Sequence, residues 1–231
     1  MPYACAIVPA FNAAATVGGV LNDLDHCLGL PIIAVDDGSA DGTGFVARAG
    51  GALVLRHDRN LGKGAALRTG LREAARQGFE VAVTIDADGQ HPAASARSVL
   101  SASDDPRALV LGVRDLLRDG APASNRFGNT VSNFFLSRFS GRPLSDTQCG
   151  LRRYPVGETL RLGARASGFA FESEVVLRAI AARLPIVEVG VGVLYPDRAN
   201  AVTHFRRVLD PIRIVVRVAQ TALELAVVRP C

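Results

Sequence analysis

Asp86-Ala87-Asp88-Gly89-Gln90-His91 carries the side chains with the clearest capacity for chemistry. Its two carboxylates stand at i and i+2, with an amide at i+4. If the strand ahead of them continues through this point, all three share one face. Carboxylate and amide oxygens are hard ligands, suited to Mg²⁺ or Mn²⁺ and poorly suited to zinc. With so few protein ligands, such an ion normally shares the phosphates of a bound substrate. His91 does not make this a zinc site, because His26, His57 and His204 are far away in sequence. Three further polar segments invite the same question: Pro9-Ala10-Phe11-Asn12, the run from Asp36 to Thr43, and Asn60-Leu61-Gly62-Lys63-Gly64. Asp37 has the chemistry to accept hydrogen bonds from a base N–H or a sugar hydroxyl. Neither a Walker loop nor a Gly-x-Gly-x-x-Gly fingerprint is present.

These segments must be held by regular elements. Tyr3–Val8, Pro31–Val35, Ala52–Arg56, Val81–Ile85 and Ala108–Leu111 are short and nearly continuously apolar. That pattern predicts strands covered on both faces, as in a parallel sheet. Ala14–Cys27, Thr43–Ala49, Lys63–Gln77 and Ala93–Ser101 have helical length and composition between them. Strand and helix in alternation predict an α/β fold, in which ligands bind beyond the carboxyl ends of the strands. Ordinary turn and capping chemistry accounts for any one of the four polar segments. It accounts poorly for four of them at one sheet edge.

Taken together, Ile7–Asn12, Val35–Ser39, Asn60–Gly64 and Asp86–His91 resemble glycosyltransferase family 2, and within it the polyprenyl-phosphate sugar synthases. The similarity continues through Gly112-Val113-Arg114, Asp146–Arg152 and Gly168–Glu172, and reaches Arg198 and His204. It implies a GT-A fold with a mainly parallel central sheet flanked by helices, a nucleoside diphosphate sugar donor, and Mg²⁺ or Mn²⁺. Residue by residue, it implies that Pro9, Phe11, Val35 and Asp37 hold the nucleoside. Asp86, Ala87, Asp88 and Gln90 would hold ribose, diphosphate and metal, with Asp88 and Gln90 as the foremost direct ligands. Arg114 falls at a diphosphate contact, and Arg198 and His204 at a later basic pair that usually contains lysine. Two departures stand out. Ala13 replaces a frequent acidic base contact, which leaves GDP and UDP both open, and His204 replaces the lysine, which makes phosphate binding there sensitive to pH.

The chain has 231 residues, 48% hydrophobic and 21% charged, with a net charge of +4. Intrinsic disorder is excluded. Residues 1–100 carry a net −2 and residues 101–231 a net +6. The arginines are spread singly and no nucleic-acid motif is present, so no nucleic-acid partner is expected. The charge asymmetry suggests two jobs in one domain, which the resemblance implies are a nucleotide-sugar half (1–113) and an acceptor half (114–204), followed by an amphipathic helix (205–231). Arg126, Arg198 and Arg206 are candidates for an acceptor phosphate, since arginine suits bidentate contact. Asp210-Pro211 reads as a helix start. Beyond it, Arg213, Arg217, Gln220 and Glu224 form one polar stripe on an otherwise apolar helix, able to lie on a membrane or to pack on the sheet or a second subunit. Phe134, Phe135 and Phe139 offer a second lipid-facing surface. Four scattered cysteines and the lack of a leader pattern make a cytoplasmic protein the expectation, peripheral on the cytosolic membrane face. The expected activity is transfer, with inversion, to a polyprenyl phosphate. A soluble or glycan acceptor, with Glu172 or Glu174 as base, and a non-catalytic nucleotide-sugar-binding protein are the alternatives.

Overall fold

The computed structural model describes residues 3–116, 123–194 and 209–228. The five apolar runs form β1 (Ala4–Ala10), β2 (Ile32–Asp36), β3 (Leu53–Arg56), β4 (Val81–Thr84) and β5 (Leu109–Arg114). Between them lie α1 (Ala14–Leu28), α2 (Thr43–Ala49), α3 (Lys63–Arg76) and α4 (Ala93–Ser101), as the sequence pattern predicts. The rear half adds α5 (Ala123–Ser140), β6 (Arg152–Pro155), α6 (Val156–Arg161), α7 (Ala170–Ala181), β7 (Ile186–Val191) and α8 (Leu209–Val228).

The seven strands make one sheet in the order β3-β2-β1-β4-β6-β5-β7. Every pairing is parallel except those of β6, which is antiparallel to both neighbours. Alternating strand residues feed two cores. Ile7, Val35, Ala82 and Leu111 face α3, α7 and α8, while Val8, Ala34, Val83 and Val110 face α1 and α4. Double coverage is why β1, β2, β4 and β5 read as continuous apolar runs, whereas β3, at the sheet edge, is only partly covered.

β6 carries no such signature, because Arg152 and Arg153 are both fully buried in it. Buried guanidinium groups require partners, and backbone carbonyls supply them. Arg152 donates to the carbonyls of Thr147, Cys149 and Glu172, at 2.8–2.9 Å. Arg153 donates to those of Leu100, Ser103 and Asp105. Arg152 thereby ties the 147–149 segment to the first turn of α7.

Candidate active site

Strands β3, β2, β1 and β4 are neighbours and parallel, so the four polar segments meet at their carboxyl edge. Hydrogen bonds stitch them together. Asn12 takes a left-handed conformation (φ 47°) just after β1; its N–H donates to Ser39 Oγ, and its side-chain carbonyl accepts from the Ala40 N–H. Gly38 has φ 76°, and a Cβ there would lie 2.4 Å from the Arg59 backbone, so only glycine lets the two loops touch. Pro9 and Val35 sit side by side in the β1–β2 register.

Asp37 is buried and organises the next loop. Its Oδ1 accepts from the Leu61 N–H (2.9 Å) and its Oδ2 from the Gly62 N–H (2.7 Å). His57 Nδ1 lies 2.7 Å from the same Oδ1, and Nε2 lies 3.0 Å from Thr69 Oγ1. A carboxylate only accepts, so Nδ1 carries the proton. His57 thus orients the Asp37 side chain, which the family resemblance implies for the nucleoside, a partnership across 20 residues that the sequence pattern does not announce.

The condition for Asp86, Asp88 and Gln90 to share one face, that the strand continue through them, is not met. β4 stops at Thr84, and Asp86–Gln90 is a turn with Gly89 at φ 74°. Asp88 Oδ1 accepts the Gln90 N–H at 3.0 Å, which closes that turn. Ala87 is buried, and its carbonyl accepts from Thr16 Oγ1 at 2.7 Å. Asp86 instead pairs with Lys63, whose ammonium is 2.7 Å from Asp86 and 3.3 Å from Glu172. Burial pushes the Asp86 carboxyl up, but the Lys63 charge overrides it and holds the group below the usual range. Asp88 has no such rescue: burial and the Asp86 charge push it up to about 6. Two carboxylates that strain against each other's charge, with the Gln90 amide two residues further along the same turn, are a donor set whose chemistry fits a hard divalent cation. Among the described residues no three His, Cys, Asp or Glu side chains gather as a metal group, so the set depends on the Gln90 amide.

Arg114 ends β5 within electrostatic reach of Asp86. Asp146, itself buried, grips it: Nε is 2.7 Å from Oδ2, Nη2 is 3.0 Å from Oδ1, and the Arg114 N–H donates to Oδ2. His91 is buried, and burial lowers its pKa, keeping the ring neutral. Its Nδ1–H donates to the Gly192 carbonyl (3.2 Å), and Nε2 lies 3.8 Å from Cys149 Sγ. Burial drives the Cys149 thiol up to about 12, so it is a packed S–H group rather than a nucleophile.

Glu172 and Glu174, weighed above as bases for a hydroxyl acceptor, are both engaged internally. Glu172 faces Lys63. Glu174 Oε2 accepts from the N–H groups of Arg165 and Ala166, and its Oε1 from Arg178 and Arg217. All its acceptor positions are used. Of the acceptor candidates, Arg126 lies on α5; Arg198, His204 and Arg206 lie outside the described residues.

Residues 5–155 match the family model described as glycosyl transferase family 2. The chain belongs to glycosyl transferase family 2. It is therefore a glycosyltransferase, and its sheet is that of a GT-A fold. The UDP-N-acetylglucosamine–dolichyl-phosphate N-acetylglucosaminyltransferase of Methanococcus voltae is 29% identical over 220 residues, covering 84% of this chain and 87% of the relative. The polyprenol monophosphomannose synthase of Mycolicibacterium smegmatis is 30% identical over 204 residues, covering 80% and 75%. In fold, the chain matches glucosyl-3-phosphoglycerate synthase from Mycobacterium tuberculosis, solved with Mn²⁺, UDP and phosphoglyceric acid. The TM-score is 0.70 at 20% identity, over 97% of this chain and 78% of that one.

Proposed function

We propose that this transferase is metal-dependent and inverting, and moves a sugar from a GDP- or UDP-linked donor to the phosphate of a polyprenyl-type lipid. The observation that carries the reading is the pairing, at one sheet edge, of an anionic cluster (Asp86, Asp88) with an arginine fixed in place by Asp146. The two relatives support the acceptor, since their names specify dolichyl phosphate and polyprenol.

Transfer breaks the anomeric C–O bond to the diphosphate and forms one to an acceptor phosphate oxygen on the opposite face. Mg²⁺ or Mn²⁺ held by Asp86, Asp88 and Gln90 would offset the negative charge that builds on the leaving diphosphate. Arg114 adds a cation there that needs no reorientation, because Asp146 has already set it. Asp37, with Pro9, Phe11 and Val35, holds the nucleoside. A phosphate acceptor arrives ionised and needs no strong base, which agrees with the internal use of Glu172 and Glu174. Arg126, Arg198 and Arg206 bind that phosphate, with His204 beside it.

No described helix is long and apolar enough to cross a membrane. Phe134 on α5 and Ile212, Val216 and Leu223 on α8 are exposed, and supply a peripheral contact with the cytosolic face where a lipid acceptor would reside. The test is transfer of labelled sugar from UDP- and GDP-linked donors to a short-chain polyprenyl phosphate, with Mn²⁺ or with chelator, beside a 3-phosphoglycerate arm. Metal-dependent labelling of the lipid, lost in Asp88→Ala, is expected. Labelling of phosphoglycerate alone would overturn the acceptor assignment.

A further inference from the structure

Twenty-five of the 26 basic side chains are arginine, and the single lysine is Lys63. A chain that uses arginine everywhere else departs from it at the active-site edge, where the space explains why. The Asp86–Lys63 pair lies flush against Gly150: a Cβ there would be 2.4 Å from Asp86 Oδ2 and 2.6 Å from Lys63 Nζ. A compact ammonium fits this gap, and a planar guanidinium does not. The two contacts of the ammonium are unequal, 2.7 Å to Asp86 and 3.3 Å to Glu172. Glu172 Oε1, the atom at 3.3 Å, is buried and makes an ion pair with the ammonium but no aligned hydrogen bond. The Phe169 ring, 5.7 Å away, flanks the same ammonium.

We propose that Lys63 is the resident counter-ion of Asp86, and that a divalent cation gains Asp86 only by displacing the ammonium toward Glu172, the second and incompletely used berth. This rests on Asp86 belonging to the metal-binding set of the function proposed above. Two cations cannot share one carboxylate at contact distance without strong repulsion. Lys63 therefore keeps the affinity for a bare cation low, and the donor's phosphates supply the ligands that tip the exchange. Glu172 is then a positioning residue that receives Lys63.

Two measurements test this without relying on turnover. The first is Mn²⁺ binding by electron paramagnetic resonance, with no nucleotide, on wild type and on Lys63→Met/Glu172→Gln. The double variant keeps net charge, with Met unbranched and one atom shorter than Lys and Gln isosteric with Glu, so a gain reads the release of Asp86 rather than a change in the overall field. At least a tenfold tighter Mn²⁺ affinity in the variant is expected; equal or weaker affinity overturns the proposal. The second uses wild type and survives any folding defect of the variant. A lysine label on Nζ gives one signal, from Lys63. Millimolar Mg²⁺ alone should leave that signal in place, whereas Mg²⁺ with UDP or with GDP should move it. A saturable shift with Mg²⁺ alone at micromolar concentration, or none with Mg²⁺ and either nucleotide while the nucleotide binds, overturns the counter-ion role. If neither protein binds Mn²⁺ with or without nucleotide, the metal assignment itself falls, and the Lys63 proposal with it.

Discussion

In the proposed mechanism, Arg114 shows what a single residue needs before it can stabilise a leaving group. Three hydrogen bonds to one buried carboxylate fix its guanidinium and backbone together. In Asp146→Asn the side chain keeps its size but loses the charge, and its amide turns an N–H toward the guanidinium. We expect kcat/KM to fall by about 10²-fold, the scale for a misplaced catalytic group, with a smaller loss of nucleotide affinity. Steady-state kinetics beside nucleotide titration separates the two, and equal losses would make Asp146 a binding residue only. Asp37, Asp86 and Asp88 were legible in the sequence because they stand next to strand ends, where an α/β sheet must present ligands, and Arg114 through the family resemblance. Their partners were less so. Asp146 is 32 residues from Arg114 and His57 is 20 from Asp37, and only the sheet order brings them together. Lys63 was visible as part of a glycine-rich loop, but its pairing with Asp86 required knowing that α3 starts beside the end of β4.

At the scale of elements, the loops work because backbones approach more closely than side chains allow. The first turn of α3 presses on the 166–171 segment: a Cβ on Gly64 would sit 2.4 Å from Phe171 Cβ and 2.6 Å from the Ala166 carbonyl. The Ala65 N–H donates to the Ser167 carbonyl at 3.0 Å. Gly64→Ala should therefore cost about 1–3 kcal/mol by overpacking, and should lower activity because Lys63 is the preceding residue. Gly19 is the contrast. It is exposed within α1, and a Cβ there meets nothing within 4 Å. Gly19→Ala should stabilise by about 0.5–1 kcal/mol through helix propensity and unfolded-state entropy. Thermal unfolding of both variants should show shifts of opposite sign, at about 2–4 °C per kcal/mol. The same scale marks where sequence pattern stops. β1, β2, β4 and β5 were legible because both faces are covered and apolar, and β3 by its apolar run although it lies partly exposed at the sheet edge, whereas Arg152 and Arg153 hide β6. Asp86, Asp88 and Gln90 would share one face only if the strand continued past Ile85; instead the Asp88 carboxylate folds back on the Gln90 N–H and makes a turn.

Across the whole molecule, Glu174 joins the C-terminal helix to the donor edge. Its carboxylate, fully buried on α7, holds the 165–166 backbone on one side and Arg217 of α8 on the other. Arg217 and Arg178 both continue to Glu224, so α7 and α8 share one ion network. The 165–166 backbone leads directly to Ser167, against which α3 is packed. α8 is thus braced, through one carboxylate, against the segment that supports Lys63. Burial pushes the Glu174 carboxyl up, but hydrogen bonds from Arg217, Ala166, Arg178 and Arg165 outweigh it and hold the group below its usual range. A carboxyl whose folded pKa is depressed adds stability above its unfolded pKa, about 4.3, and that stability is lost as pH falls through the folded value. Glu174→Gln should therefore cost about 3 kcal/mol near neutrality, the scale for breaking a buried ion pair. The gap between wild type and variant should stay constant from pH 7 to about 5, then narrow steadily toward pH 3 as wild type protonates. Thermal unfolding of both proteins across that range reads the difference directly, other carboxylates cancelling between them. Hydrogen exchange at pH 7 locates the loss. Faster exchange in α8 and in the 165–168 backbone together is expected in the variant, and faster exchange in α8 alone would mean that the helix is docked but does not brace the donor edge.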